Sequence, residues 1–212
     1  MSVRVAESAG FCFGVSRAVE LVEQAAKGGK TVVTLGPIIH NHHVVDKFRA
    51  LGVEVIDAPE QASPGQTVII RSHGVSRAVY EELQRRGVEI IDATCPFVKR
   101  IHGIVSRAEE EGQLPVIIGT PTHPEVEGIA GWCRDCRVFE TLDGLKNWAY
   151  SKEDLKNSPI CMVSQTTLTE SLWKMCGEFA KKQFTNLKIF DTICRATEYR
   201  QSEAAGLSEI CQ

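Results

Sequence analysis

Residues able to do chemistry recur at comparable places along this chain. Cys12, His40, His73, Cys95, His123 with Glu125, Thr166 and Cys194 each lie just beyond a short β-rich run. In open parallel sheets, ligands bind outside the carboxyl ends of the strands, where loops lead into helices. The set is therefore a candidate for a single site. Cysteine thiolates suit an iron–sulfur cluster or zinc, and a cluster held by only three thiolates leaves one iron open. Three histidines, neutral or charged, suit a phosphate-type anion, and Glu125 could supply protons. Gly10 and Gly14 bracket Cys12, Gly36-Pro37 precedes His40, Gly74 follows His73 and Pro96 follows Cys95, while Gly119, Pro121 and Pro124 surround His123. Such residues allow tight turns and close approach to the backbone. The helix starts that follow offer N–H groups without intrahelical partners.

The elements that must position these residues alternate along the chain. Strand signals occur at Val3–Ala6, Thr31–Thr34, Val53–Ile56, Thr67–Ile70, Val88–Ile91, Val116–Ile118, Ile160–Val163 and Leu187–Phe190. Helical patterns lie between most of them, among them Val15–Ala26, Val44–Leu51, Arg77–Arg86, Val98–Glu111 and Leu168–Gln183. Near-continuous Val/Ile runs predict parallel strands covered on both faces, hence an α/β fold. GVSRAV occurs at Gly14–Val19 and Gly74–Val79, and GVEVIDA at Gly52–Ala58 echoes GVEIIDA at Gly87–Ala93. These short matches fit a chain built from similar βα units.

Composition narrows the class. With 212 residues, 43% hydrophobic and 24% charged, the chain can bury a core and is not of disordered type. A net charge of −3 and a pI of about 6.1 give no broad basic field for nucleic acid. No signal peptide or membrane-spanning run is legible, so a soluble cytoplasmic protein is expected. Reduced cytosolic thiols leave metal binding, catalysis or burial to account for eight cysteines. Cys133 and Cys136 form a C-x-x-C pair, readable as half a zinc site or a redox pair. Cys161, Cys176 and Cys211 read as buried or simple surface residues, and His42, His43 and His102 as solvated or packed.

The segments GFCFGVSRAVE, GPIIHNHHVVD, RSHGVS, DATCPFV, THPEVEG, SQTTL and DTICRATEYRQ together resemble the 4-hydroxy-3-methylbut-2-enyl diphosphate reductase family, in the family's order. The resemblance implies a [4Fe–4S] cluster on Cys12, Cys95 and Cys194. It places His40, His73 and His123 at the substrate diphosphate, Glu125 as proton donor, and Thr166 at the substrate hydroxyl and in the proton relay. It implies reductive dehydroxylation to isopentenyl and dimethylallyl diphosphate, with electrons from a ferredoxin or flavodoxin. The family's three similar α/β units around a central cluster would here be an N-terminal strand and loop (1–12), a first unit (13–95), a second unit (96–192) and the start of a third (193–212). The family continues beyond this point with a strand, a Ser-Ser-Asn loop and a later serine, about 90 residues in all. The chain is thus expected to be a fragment, a truncated reading frame or a trimmed form, of uncertain activity. Two alternatives to the reductase stand beside it: an inactive remnant, or a zinc enzyme with three cysteines and a histidine.

Overall fold

The structure is a computed structural model, which describes residues 3–151 and 153–210; Cys211 lies outside them. Two four-stranded parallel sheets are built in succession. After helix α1 (Phe13–Ala26) come β1 (Val32–Leu35), α2 (His42–Ala50), β2 (Glu54–Ile56), a 3₁₀ turn at Pro59–Gln61, β3 (Thr67–Ile70), α3 (Arg77–Arg85) and β4 (Glu89–Asp92). The second half runs α4 (Pro96–Glu110), β5 (Leu114–Ile118), α5 (Pro124–Ala130), β6 (Arg137–Phe139), α6 (Leu142–Tyr150), β7 (Ile160–Ser164), α7 (Glu170–Gln183), β8 (Leu187–Ile189) and α8 (Arg195–Ile210). The strand orders are β2-β1-β3-β4 and β6-β5-β7-β8, the same winding twice.

The Val/Ile runs behave as strands buried on both faces. In the first sheet Val32 and Ile69 pack with Ala18 and Val22 of α1 and Phe48 of α2. Their neighbours Val33, Leu35, Val68 and Ile70 point the other way, toward Leu83 of α3. In the second sheet Ile117 and Val163 meet Ile101 and Val105 of α4 and Val126 and Ile129 of α5. Val116, Ile118, Ile160 and Met162 meet Leu145 of α6 and Cys176 and Ala180 of α7. Truncating one such buried isoleucine to alanine typically costs about 2–5 kcal/mol, because lost burial and a cavity add.

Three sequence expectations need correction. Val3–Ala6 forms no strand; Val3 and Val5 are exposed, so their alternation has no face to bury. Cys12 therefore stands at the start of α1 and does not follow a strand. Strand β6 and helices α5 and α6 were not read, being short and half-buried or interrupted by glycine. The repeated peptides are not the repeated units: GVEVIDA and GVEIIDA are the two edge strands of one sheet, and GVSRAV opens α1 and α3. The structural repetition is the longer one, a cysteine followed by a helix and a sheet. Cys12 precedes α1, Cys95 precedes α4 and Cys194 precedes α8.

Candidate active site

The loops past the strand ends remain paired, and that pairing carries the candidate residues. In the first sheet the Ser72 hydroxyl donates to the Ile38 carbonyl at 3.3 Å, and the Cys95 N–H donates to the Ser72 carbonyl at 2.9 Å. The second sheet repeats this: Gln165 N–H to Ile118 carbonyl and Cys194 N–H to Thr166 carbonyl, both 2.8 Å. In each sheet the cysteine follows the edge strand β4 or β8, while His40 and His73, or His123 and Thr166, follow the two central strands. A buried Thr192 fixes the approach to Cys194, since its hydroxyl oxygen accepts from the Ser164 N–H at 2.7 Å and donates to the Ser164 carbonyl at 2.9 Å.

His40, His73 and His123 meet across the two sheets, with one ring nitrogen from each lying within 4.8 Å of the others. Ring centroids are 4.7 Å apart for His40 and His73, and 5.6 Å for His73 and His123. The meeting depends on close packing of α5 against the loop after β3. A Cβ at Gly128 would stand 3.4 Å from the His73 carbonyl oxygen, in van der Waals contact, so α5 packs directly on this loop. The other end of α5 is tied to the same loop. The Trp132 indole donates to the Val75 carbonyl at 2.8 Å, and the Arg77 N–H donates to the Gly131 carbonyl at 3.2 Å.

Burial acts against a charge on two of these imidazoles. Burial pushes His73 down to about 3, with charge on His40, Arg71 and His123 acting in the same direction. Burial, then His40 and Arg71, also lowers His123. The expectation of neutral or charged histidines thus resolves to a neutral His73 at physiological pH. Its Nδ1 is buried without a hydrogen-bond partner. His123 caps α5, its Nδ1 accepting the Glu125 N–H at 3.2 Å, so the proton of a neutral ring sits on Nε2.

Glu125 is 2% exposed. Its Oε1 accepts the Thr166 N–H at 2.6 Å, and its Oε2 accepts the Thr166 hydroxyl at 2.7 Å. Burial raises its pKa above the usual carboxylate range, against the two Thr166 bonds that pull it down. A buried acid whose proton affinity is raised, next to a hydroxyl, is a candidate proton donor.

The three cysteines are all half-buried and free. Cys12 comes beside Cys95 because Arg17 of α1 donates to the Asp92 and Thr94 carbonyls at 3.1 and 3.2 Å, and because Gly14 leaves room for the Cys95 sulfur. α8 grips the segment before Cys12: Arg200 donates to the Gly10 carbonyl at 2.8 Å, and Glu203 accepts the Ser8 N–H at 2.9 Å. Burial raises the Cys95 pKa; N–H groups of Phe97 and Val98 oppose it, and charge on Cys194 and Cys12 adds to it. Thiolates that raise one another's proton affinity need a cation to be held together deprotonated. Among the described residues, the 4.8 Å grouping of possible ligands comprises the histidines and no cysteine. Tetrahedral zinc needs sulfurs about 3.8 Å apart, given Zn–S bonds of about 2.3 Å. The wider thiol set suits a multi-iron cluster.

The remaining candidates lie elsewhere. His102 is packed on Trp132, ring centroids 5.2 Å apart, while His42 and His43 are exposed on α2. Cys161 and Cys176 are buried in the second sheet's packing, and burial raises both to about 11. The Cys133 thiol donates to the Ala130 carbonyl at 3.4 Å beyond the far end of α5, and its interaction with the neighbouring Cys136 thiol raises Cys133 and lowers Cys136. Arg17, Ser72, Thr192 and Gly128 were not singled out from sequence. Only Gly128 carried a signal, its place in the THPEVEG segment.

Among the described residues, no helix is long and apolar enough to cross a membrane. The family described as LytB protein matches residues 3–212. A protein of Thermoanaerobacter sp. (strain X514), named 4-hydroxy-3-methylbut-2-enyl diphosphate reductase, is 44% identical over 99% of this chain and 72% of its own length. The protein of that name from Aquifex aeolicus (strain VF5) is 41% identical over 98% of this chain and 71% of its own. A solved structure described as (E)-4-hydroxy-3-methyl-but-2-enyl diphosphate reductase, the terminal enzyme of the non-mevalonate pathway, superposes with a TM-score of 0.82 at 40% identity. It covers 97% of this chain and 72% of that one. The reductase structure from Plasmodium falciparum gives a TM-score of 0.84 at 29% identity, over 91% of this chain and 61% of that one. Matched in sequence over residues 3–212 and in fold over nearly its whole length, the chain belongs to the LytB protein family.

Proposed function

We propose that this chain carries out the reaction for which its relatives are named, reductive dehydroxylation of 4-hydroxy-3-methylbut-2-enyl diphosphate to isopentenyl and dimethylallyl diphosphate. The allylic C–O bond breaks, two electrons and two protons enter, and water leaves. One proton goes to the departing oxygen and one to the allylic carbon skeleton. Electrons come from a one-electron carrier of the ferredoxin or flavodoxin class. Cys12, Cys95 and Cys194 would hold a [4Fe–4S] cluster, which when bound supplies electron transfer and Lewis acidity at an iron without a protein ligand.

The other steps belong to side chains. His40, His73 and His123 bind the diphosphate, His123 through its Nε2–H. Holding the remote anion fixes the reacting carbon, so binding energy becomes orientation. Glu125, whose proton affinity burial raises, shares a hydrogen bond with the Thr166 hydroxyl and delivers its proton to the substrate alcohol through that hydroxyl, which turns to accept as it donates onward. One observation carries this reading. His123, Glu125, Thr166 and Cys194 are joined in sequence by hydrogen bonds of 3.2, 2.6 and 2.8 Å, so one run of backbone and carboxyl contacts holds the anion pocket, the acid and the loop of Cys194 in register.

Anaerobic reconstitution with iron and sulfide, followed by turnover with dithionite-reduced viologen, tests the proposal. Four irons per chain and formation of both isomeric products are expected. A full iron load without product would reject the reaction for this chain, and zinc in place of iron would reject the cluster. A subtler variant examines the thiol geometry. A Cβ at Gly14 would lie 2.6 Å from the Cys95 Sγ, so Gly14→Ala should at least halve iron per chain while leaving the helical circular dichroism unchanged. Full iron content in this variant would show that Cys95 need not occupy its present position.

A further inference from the structure

We propose that Arg71 is a diphosphate-binding residue and the fixed positive charge of the histidine pocket. The inference rests on reading that pocket as the diphosphate site, and adds a residue that none of the motifs singled out. Arg71 leaves the end of β3 two residues before His73. Its side chain lies over Gly36, at the start of the loop that delivers His40. A Cβ at Gly36 would stand 2.7 Å from Arg71 Nη1 and 3.3 Å from its Cδ. Gly36 also adopts φ +71°, a conformation glycine takes readily. The loop thus combines a permissive backbone with the space that a guanidinium needs beside the pocket.

Arg71 is half-buried, and the charge of the nearby Glu127 carboxylate acts on it without a direct ion pair. Among the described residues it forms no ion pair within 4.0 Å, whereas nine other pairs do. Its Nε is buried without a hydrogen-bond partner, as is Nδ1 of His73. Burying a charge without pairing it is costly, and an arriving anion would remove that cost. His73, held neutral by burial, can donate a hydrogen bond but brings no net charge to a multiply charged diphosphate. An arginine supplies it at every physiological pH, in a fork that matches phosphate oxygens. The same charge decides between two readings of the three histidines. Their spacing would also accept a metal ion, but an unpaired guanidinium beside them repels a cation and attracts an anion.

The test is equilibrium binding of inorganic diphosphate to the iron-loaded protein by calorimetry, at several salt concentrations. Arg71→Met should weaken binding tenfold or more and flatten its salt dependence, with iron content unchanged. Arg71→Lys should recover most of the affinity, since charge is retained and only the fork is lost. If Arg71→Met does not fold, Arg71→Gln removes the charge while retaining length and polarity, and the same result is expected of it. If the wild-type protein does not bind diphosphate, the reading of the pocket itself fails. If wild type binds and the neutral variants bind equally well with the same salt slope, Arg71 is excluded and the pocket reading stands.

Discussion

Replacing Glu125 with glutamine is expected to lower kcat about 100-fold or more while leaving inorganic diphosphate affinity and iron content within about twofold of wild type. General acids typically contribute factors of about 10²–10⁴, and Gln keeps the shape of the carboxyl while removing its acidic proton. Binding should survive because Glu125 reaches the histidine pocket only through its backbone N–H, which donates to His123 Nδ1 and is untouched by the change. The amide oxygen can still accept from Thr166. A pH profile separates this role from a structural one. The acid must be protonated to act, and burial raises its pKa, so wild-type kcat should fall as pH rises through that raised value. In the variant this limb should be missing. Near-normal turnover, or an unchanged limb, would transfer the proton to a histidine or to water. Thr166→Val should show a smaller defect of the same kind, because it removes the hydroxyl but keeps the N–H that orients the carboxylate.

Several site positions were legible because buried parallel strands write themselves as Val/Ile runs, and the loops after them must hold whatever a ligand meets. His40, His73, His123, Thr166, Cys95 and Cys194 could be placed that way. Cys12 could not: the Val3–Ala6 alternation imitates a strand, but Val3 and Val5 are exposed, and α8 holds the following residues Glu7–Gly10 through Glu203 and Arg200 instead of by a sheet. Short β6 escaped because Arg137–Phe139 is a three-residue edge with no fully buried position. Arg71 was invisible for a different reason. An arginine beside a strand reads as a solvated charge, and only tertiary packing shows that it lies over Gly36 without a partner. Gly128 likewise reads only as part of the THPEVEG segment until α5 is seen packing against the His73 carbonyl. What pattern cannot convey is the environment of a polar group, and here environment makes His73 neutral and raises the proton affinity of Glu125.

The largest loss should follow from removing any one thiol of the central set. Cys12→Ser, Cys95→Ser and Cys194→Ser are each expected to abolish stable iron binding, while Cys133→Ser and Cys136→Ser leave it intact. A serine hydroxyl is a far weaker acid than a thiol and a harder ligand, so it holds iron–sulfur clusters poorly. The three thiols also depend on one another. Cys95 and Cys194 are each fixed by a backbone bond to the loop of a neighbouring strand, and Cys12 is carried to them by α1 and the grip of α8. Deleting one leaves the other two well placed but without a third ligand, and no nearby cysteine can substitute. Cys161 and Cys176 are buried in the packing of the second sheet, with pKa values near 11. Cys133 and Cys136 are free thiols past the end of α5, the opposite end from Glu125. Iron and acid-labile sulfide per chain, measured after anaerobic reconstitution, give the answer, with the visible absorption of the cluster as a second readout. Loss of iron in Cys133→Ser or Cys136→Ser would move the centre to the C-x-x-C pair. Retention of iron in any of the three central variants would mean that two protein thiols suffice, and that the shared winding of the two sheets serves packing more than metal.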